Sequence, residues 1–546
     1  MRKILILLGI CGALNAWEFN NLKIETVKKI YQNQENFDKI CGEICTNSLK
    51  IAFLKDEEFA NGEIGCLDYA PTISGQDVCD NPEYKFEILK FGDVEVEQIC
   101  KGWTPESQKI IYKLECGEDD CKISDIYNTA NYEGKDETFS VKEMIYDCLK
   151  TYQKEKKMKL ASRINRLSES LTIAISTRAK ELKASGKDVI IFSAGEPDFD
   201  TAEAAKNAVI EAMRKGCGKY TPIPGTAEIL NAVALKLKRD NGLDYKPSQI
   251  ITNVGAKHSL FNIFSCLIDD GDEVIVPAPF WVTYPEIVKF CGGKPVIIDT
   301  KPENKYKITA DELKAAITPR TKALSLCSPS NPAGAVYSKD ELVAIAEVLK
   351  GTDIAVIADE IYEKIIFDKE FVACASISED MFNRTITVNG LSKCGAMPGW
   401  RFGYTACAND ELNKAMKKLQ SQSTSNISSI VQAGAVAVLE GKADEYIAMM
   451  NKEYQKRRDY AVDAINAIDG LSVVKPDGAF YLFINCGGVE KDSMKFCTKL
   501  LDEALVATVP GVGFGMDEHF RISYACSMDE IKEGIARIAE FVKNYK

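Results

Sequence analysis

From about Asp188 onward, short apolar runs of strand length alternate with glycine- or proline-bearing turns and with amphipathic stretches of helical length. The clearest strands are Asp272-Glu-Val-Ile-Val-Pro277, Lys294-Pro-Val-Ile-Ile-Asp299, Lys322-Ala-Leu-Ser-Leu-Cys327, Asp353-Ile-Ala-Val-Ile-Ala-Asp359 and Thr385-Ile-Thr-Val-Asn389, with helices between most of them. This alternation predicts an α/β fold, a largely parallel sheet covered by helices on both faces, with ligands at the carboxyl ends of the strands. Polar residues gather there. Asp359 closes one strand, the Ser328-Pro-Ser-Asn331-Pro turn closes another, and Lys393 follows a third. Past about residue 470, the runs Leu471-Ser-Val-Val and Ala479-Phe-Tyr-Leu-Phe-Ile484 and an amphipathic helix from Met528 onward predict a second, smaller lobe, joined by the segment Arg163 to Phe199. The expected division is a small domain of about 158–200 and 470–546 around a large domain of about 201–469.

The front of the chain reads differently. Arg2 and Lys3, an apolar run from Ile4 to Leu14 and the pattern Ala13-Leu14-Asn15-Ala16 read as a secretory signal over residues 1–16. A lipoprotein reading through Cys11 is weaker, because Ile10 stands where a small residue belongs, and the run is too short for a stable membrane span. Residues 17–157 hold eight cysteines: Cys41, Cys45, Cys66, Cys79, Cys100, Cys116, Cys121 and Cys148. An even count in a short exported segment points to disulfides. Cys41-x-x-x-Cys45 and Cys116-x-x-x-x-Cys121 give a rival zinc reading, weakened by loose spacing and the absence of histidine from the segment. No catalytic constellation or known family is visible there.

The ten cysteines after Met158 sit singly in apolar runs, as small buried hydrophobes do. The junction Lys154-Glu-Lys-Lys-Met158-Lys159 is polar, and Met158 can initiate everything that follows, so the chain reads as two proteins joined end to end. A fusion, a read-through of adjacent reading frames and an assembly error all give this pattern.

Charge sharpens the contrast. Of the chain's 68 Lys/Arg and 80 Asp/Glu, residues 1–157 carry 20 and 29, so the front is acidic and nucleic-acid binding is not expected of it. With only His258 and His519, a Ser-His-Asp triad or a multi-histidine metal site has almost no material, and no metal is expected.

Chemistry must come from other residues. At Val254-Gly255-Ala256-Lys257-His258 a strand ends in a glycine turn and a helix begins, where free amides can bind phosphate, although a plain turn fits the same residues. Lys393 is followed eight residues on by Arg401 in a glycine-rich segment, so one could make an imine and the other clamp a phosphate. Asp359, ending an apolar strand, would be partly buried and would need a cation such as a protonated pyridine nitrogen, unless it is a helix N-cap. Asn331 sits in a rigid proline turn, and Arg521 in an apolar strand calls for a carboxylate.

Taken in order, Ser193-Ala-Gly195-Glu-Pro-Asp-Phe-Asp, Lys219-Tyr220-Thr-Pro-Ile-Pro-Gly225, Phe280-Trp281-Val-Thr-Tyr, Ser330-Asn331-Pro-Ala-Gly, Asp359-Glu-Ile-Tyr362, Ser392-Lys393 with Gly399-Trp-Arg401, and Arg521 resemble the motif set of class I aminotransferases of the aspartate type. The resemblance covers residues 158–546 and none of 1–157. It implies fold type I of the pyridoxal-phosphate-dependent transferases, with a mainly parallel seven-stranded sheet in the large domain and a smaller α+β domain. It also implies pyridoxal 5′-phosphate as cofactor, transamination between L-aspartate and 2-oxoglutarate, and a homodimer with shared active sites.

By the same resemblance, Lys393 would hold the cofactor and move the proton, Asp359 would keep the pyridine nitrogen protonated, and Tyr362 and Asn331 would bond the ring's phenolic oxygen. Trp281 would stack on the ring. Arg401 and the amides of Ala256 and Lys257 would take the phosphate, with Tyr220 coming from the neighbouring subunit. Arg521 would take the substrate α-carboxylate, supported by Gly195 and Asn331, and the Lys257 side chain would reach a distal carboxylate. Ala333, Ala202 and Cys394-Gly395 depart from the common pattern without removing any of these groups.

Alternatives are a different substrate range or β-elimination on the same fold, and an exported disulfide-bonded binding protein carrying a passenger enzyme domain. A cofactor-sensing transcription regulator would need a basic DNA-binding front. The enzyme part is expected in the cytoplasm, without stable membrane insertion, and the front segment outside it.

Overall fold

The structure, a computed structural model, describes residues 20–32, 37–60, 82–89, 93–101, 107–116, 121–132, 135–155, 160–168 and 171–545. The signal-like segment up to Ala16, Cys66, Cys79 and Met158 lie outside these residues. Two compact units divide the chain, Met1–Leu160 and Ala161–Lys546.

In the first unit, β1 (Glu83–Ile88), β2 (Val94–Ile99), β3 (Ser107–Cys116), β4 (Cys121–Tyr132) and β5 (Lys135–Ser140) form an antiparallel meander in chain order. Period-two patterning builds it: Val94 and Val96 of β2 are buried while the intervening glutamates are only partly so. That face packs on Val27, Ile30, Ile44 and Leu49 from the preceding helical segments and on Ile145 from the helix Val141–Glu155. Disulfides join Cys41 to Cys45 and Cys116 to Cys121, and Cys100 and Cys148 are also disulfide-bonded. The two cysteine pairs that a zinc site would have needed are thus bonded within themselves. Among the described residues, no helix is long and apolar enough to cross a membrane, and no group of His, Cys, Asp and Glu could hold a metal.

In the second unit a 3-10 turn (Ser162–Arg166) and a helix (Leu171–Ala184) lead to a short strand, β6 (Ile190–Ile191), and a seven-stranded sheet follows. Its strands are β7 (Ile250–Val254), β8 (Glu273–Ala278), β9 (Lys294–Asp299), β10 (Thr321–Cys327), β11 (Ala355–Asp359), β12 (Thr385–Gly390) and β13 (Phe402–Cys407), in spatial order β7-β13-β12-β11-β10-β8-β9. Every pairing is parallel except the two made by β13. The residues of β12 and β13 are buried throughout, including Thr385, Thr387 and Asn389, as befits strands at the centre of a sheet covered on both faces. A second, antiparallel sheet contains β14 (Ser472–Val473), β15 (Tyr481–Asn485), β17 (Val509–Pro510) and β18 (His519–Ser523), in the order β14-β15-β18-β17. Between them in sequence, β16 (Val506–Ala507) pairs in parallel with β6.

Register decides what meets at the sheet's carboxyl edge. Asp359, the last residue of β11, is flanked by Cys327 of β10 and Val388 of β12. The turns that follow these three strands therefore emerge side by side. The turn after β11 is anchored from behind: Glu363 forms a buried ion pair with Lys236 and accepts a hydrogen bond from Asn241, while Glu360 accepts from the Cys374 amide at 2.9 Å. Burial pushes the Glu360 carboxyl up to about 8, so it keeps its proton at neutral pH and serves as a structural group.

Candidate active site

Along the carboxyl edge of the large sheet lies a cavity of about 390 Å³. Ten of the eleven residues singled out in the sequence line it: Gly195, Ala256, Lys257, Trp281, Asn331, Asp359, Tyr362, Lys393, Arg401 and Arg521. Tyr220 does not. Its side chain is 94 % exposed within this single chain.

Asp359 is the floor of the site. It is almost fully buried, and its partners are neutral: the Tyr284 hydroxyl donates to Oδ2 at 2.7 Å and the Ile361 amide to Oδ1 at 3.3 Å. Burial pushes the carboxyl up to about 6 against the lowering effect of these bonds and of the Lys393 charge. Among the described residues this carboxylate has no ion-pair partner, and a cation in contact with it would stabilise it beyond the more distant Lys393 charge.

Lys393 enters from the turn after β12, and its Nζ donates to the Gly195 carbonyl. Burial, and then the charge of Arg521, bring this amine down to about 8. Tyr362, three residues beyond Asp359, is buried with its hydroxyl 2.8 Å from that of Tyr481, and burial holds its phenol well above the usual value.

At the other end, the helix Ala256–Leu267 starts at Gly255, which supplies no side-chain cap, so the first amides, those of Ala256 and Lys257, stand at a positive helix terminus. Gly255 has φ +80°, and a Cβ there would lie 2.4 Å from Arg401 Nη2, so both the turn and the arginine require glycine. Arg401, itself at φ 58°, is held over this turn by donating from Nη1 to the Pro398 carbonyl at 3.0 Å and from Nη2 to the Val254 carbonyl at 3.3 Å. A guanidinium beside free helix amides is an arrangement that can hold a phosphate.

Arg521 reaches the cavity from the middle of β18. It donates to Asn331 Oδ1 at 3.0 Å and to the Ser193 carbonyl at 2.9 Å, while its Nε is buried without a hydrogen-bond partner. Its guanidinium also lies over the Tyr481 ring at 4.4 Å. Lys257 Nζ sits 4.8 Å above the Trp281 ring, its charge disfavoured by burial and then by Arg401. The cavity wall thus carries three separate basic side chains, Arg401, Lys257 and Arg521, besides the Lys393 amine.

Tyr284, Cys327, Ser392 and Tyr481 also line the cavity and were given no role from sequence. Tyr284 and Tyr481 lie inside quoted apolar runs, where nothing separates a hydroxyl that meets Asp359 or Tyr362 from an ordinary core tyrosine. Neither histidine lines the cavity: His258 Nδ1 accepts from the Val254 amide, and His519 stacks on Phe483.

A buried carboxylate with no ion-pair partner among the described residues, an amine brought near neutrality and a guanidinium beside free helix amides, all in one cleft, suit a phosphorylated, cationic aromatic cofactor. Comparison with known proteins gives the same class. Residues 187–538 match the model of the family described as aminotransferase class I and II. The aspartate aminotransferase of Bacillus subtilis (strain 168) is 46% identical over 396 residues, covering 71% of this chain and 100% of that protein. Among solved structures, the aspartate aminotransferase of Rhizobium meliloti matches with a TM-score of 0.69 at 44% identity, covering 71% of this chain and 100% of that one. The Thermus thermophilus aspartate aminotransferase, solved with maleate, matches with a TM-score of 0.68 at 39% identity, covering 70% and 99%. This chain belongs to the class I and II aminotransferase family. It is a pyridoxal-phosphate-dependent aminotransferase, and the residues in its cleft fit that cofactor in charge and in kind.

The Lys393 amine attacks a carbonyl only when neutral, and its neutral fraction rises as pH passes through its pKa. With a pKa of about 8, roughly a quarter of the amine is neutral at pH 7.5, against ~0.1% for an ordinary lysine. The rate at which cofactor-free protein captures pyridoxal phosphate, followed by absorbance, is expected to rise with a midpoint near pH 8 and to vanish in Lys393→Ala. A midpoint above about pH 10 would contradict the lowered amine.

Proposed function

We propose that the enzyme transfers the amino group between L-aspartate, or a similar dicarboxylic amino acid, and 2-oxoglutarate, giving oxaloacetate and L-glutamate. The observation that carries this reading is Lys257, a second cation in the cleft besides the carboxylate-seeking Arg521, with Arg401 committed to the phosphate end. The names of the relatives, and the maleate bound by the Thermus thermophilus enzyme, support a dicarboxylic substrate.

Bound pyridoxal phosphate supplies an electron sink conjugated to the substrate's α-carbon. Asp359 keeps the ring nitrogen protonated, as its own need for a cation favours. Tyr362 and Asn331 hydrogen-bond the ring's phenolic oxygen, and Trp281 covers the ring face. Arg401 with the amides of Ala256 and Lys257 holds the phosphate. Arg521 would pair with the substrate α-carboxylate beside Gly195 and Asn331, in the same cavity as the Lys393 amine. Once free, the Lys393 amine takes this proton and returns it, a step worth roughly a hundred- to ten-thousand-fold.

Tyr220, so exposed here, joins the phosphate site of a second copy in a homodimer with shared active sites. The enzyme works in the cytoplasm, starts near Met158 and is separate from an exported front protein. The free cysteines of the second unit and the disulfides of the first support that division. Intact mass of the native polypeptide is expected to show separate species, and a single species containing both units would refute it.

Half-reactions followed through the cofactor's absorbance test the substrate assignment. Aspartate is expected to convert the band and 2-oxoglutarate to restore it. Lys257→Ala should lower kcat/KM for aspartate about ten- to hundredfold, the scale of a charge-assisted hydrogen bond, with little effect on alanine. A band that ignores aspartate, or equal losses for both donors, would sink the dicarboxylic reading.

A further inference from the structure

Tyr481 touches three parts of the site at once. It opens β15, is 1% exposed, and lines the cavity. Its hydroxyl is 2.8 Å from the Tyr362 hydroxyl and 3.5 Å from the Gly195 carbonyl, two alternative acceptors for its one hydrogen, and a Cβ on Gly195 would come within 3.1 Å of that oxygen. Its ring packs edge-on against Tyr362, with centroids 5.8 Å apart, and lies beneath the Arg521 guanidinium.

Hydrogen counting gives this arrangement a direction. Two hydroxyls in contact share one hydrogen, and each phenol owns one. When Tyr362 gives its hydrogen to the cofactor's phenolic oxygen, the hydrogen between the tyrosines must come from Tyr481. A hydroxyl that accepts a hydrogen bond becomes a stronger donor, and the cation above the Tyr481 ring makes that phenol a better donor in turn. We infer that Tyr481 is a positioning residue that sets Tyr362 as the donor to the cofactor ring and ties that donor to the Arg521 carboxylate clamp. The burial of both phenols keeps them protonated, as the relay requires.

The inference rests on the proposed contact of Tyr362 with the cofactor. Tyr481→Phe removes only the hydroxyl and keeps a ring under Arg521. In the full chain loaded with pyridoxal phosphate, the pH midpoint of the bound cofactor's absorption is expected to rise in Tyr481→Phe, by on the order of half a pH unit or more. It should rise in Tyr362→Phe as well. The double variant should match Tyr362→Phe alone, because Tyr481 acts through Tyr362. An unmoved midpoint in Tyr481→Phe, or a Tyr481→Phe shift that persists in the Tyr362→Phe background, overturns the inference. An unmoved midpoint in Tyr362→Phe would sink the Tyr362 contact itself, and this inference with it.

Discussion

A carboxylate with no ion-pair partner among the described residues, buried at the carboxyl end of a parallel strand, is the constraint around which the second unit is arranged. Asp359 has a phenol and an amide for partners, and burial alone would favour its protonated form. The next residue, Glu360, is buried too, but it faces the Cys374 amide and holds its proton as a structural group. Two adjacent acids are thus tuned apart by their surroundings. One supports the turn, and the other lines the cleft, where a cationic ring nitrogen would relieve its charge.

The sheet supplies the geometry. Parallel neighbours in register bring Asn331, Asp359 and Lys393 to one edge from three successive turns. The antiparallel β13 then runs back between β12 and β7, carrying Arg401 at its entry to the start of the helix Ala256–Leu267. Arg521 comes from the other sheet, and its bond to Asn331 links the two sheets across the cleft. A substrate carboxylate that engages Arg521 therefore meets a group already fixed to the cofactor-facing turn, which is the preorganisation a positioned proton transfer needs.

Much of this was legible in the sequence. The runs ending at Cys327 and Asp359 end where their strands end, because their largely buried strands stay mostly apolar up to the polar turn, and the run ending at Asp299 matches the edge strand β9, which is only partly covered. The closing helix begins at Met528 behind the capping box of Ser527 and Glu530. β13 was hidden, since Phe402-Gly-Tyr-Thr-Ala-Cys407 carries no alternation and follows a glycine-rich stretch that reads as loop. In the front meander, Glu83-Tyr-Lys-Phe-Glu-Ile88 and Val94-Glu-Val-Glu alternate cleanly and carry the strand signal there, whereas the cysteine pattern carries no information on strand order. Tyr284 and Tyr481 could not have been found from one sequence, because their roles depend on which hydroxyl lies across the cleft.

The most direct test of this account is Asp359→Asn, compared with the wild type for unfolding midpoint without cofactor and for cofactor affinity at pH 7.5. A raised carboxyl pKa means that the folded state loses stability as pH climbs from the ordinary value of 3.8 through about 6, so the full penalty is present at pH 7.5. Removing the charge should raise the cofactor-free midpoint, by a gain of at most about 3 kcal/mol, while weakening retention of pyridoxal phosphate. An asparagine variant no more stable than wild type, or one that keeps the cofactor as tightly, would contradict the claim that Asp359 is buried to receive a cationic ring.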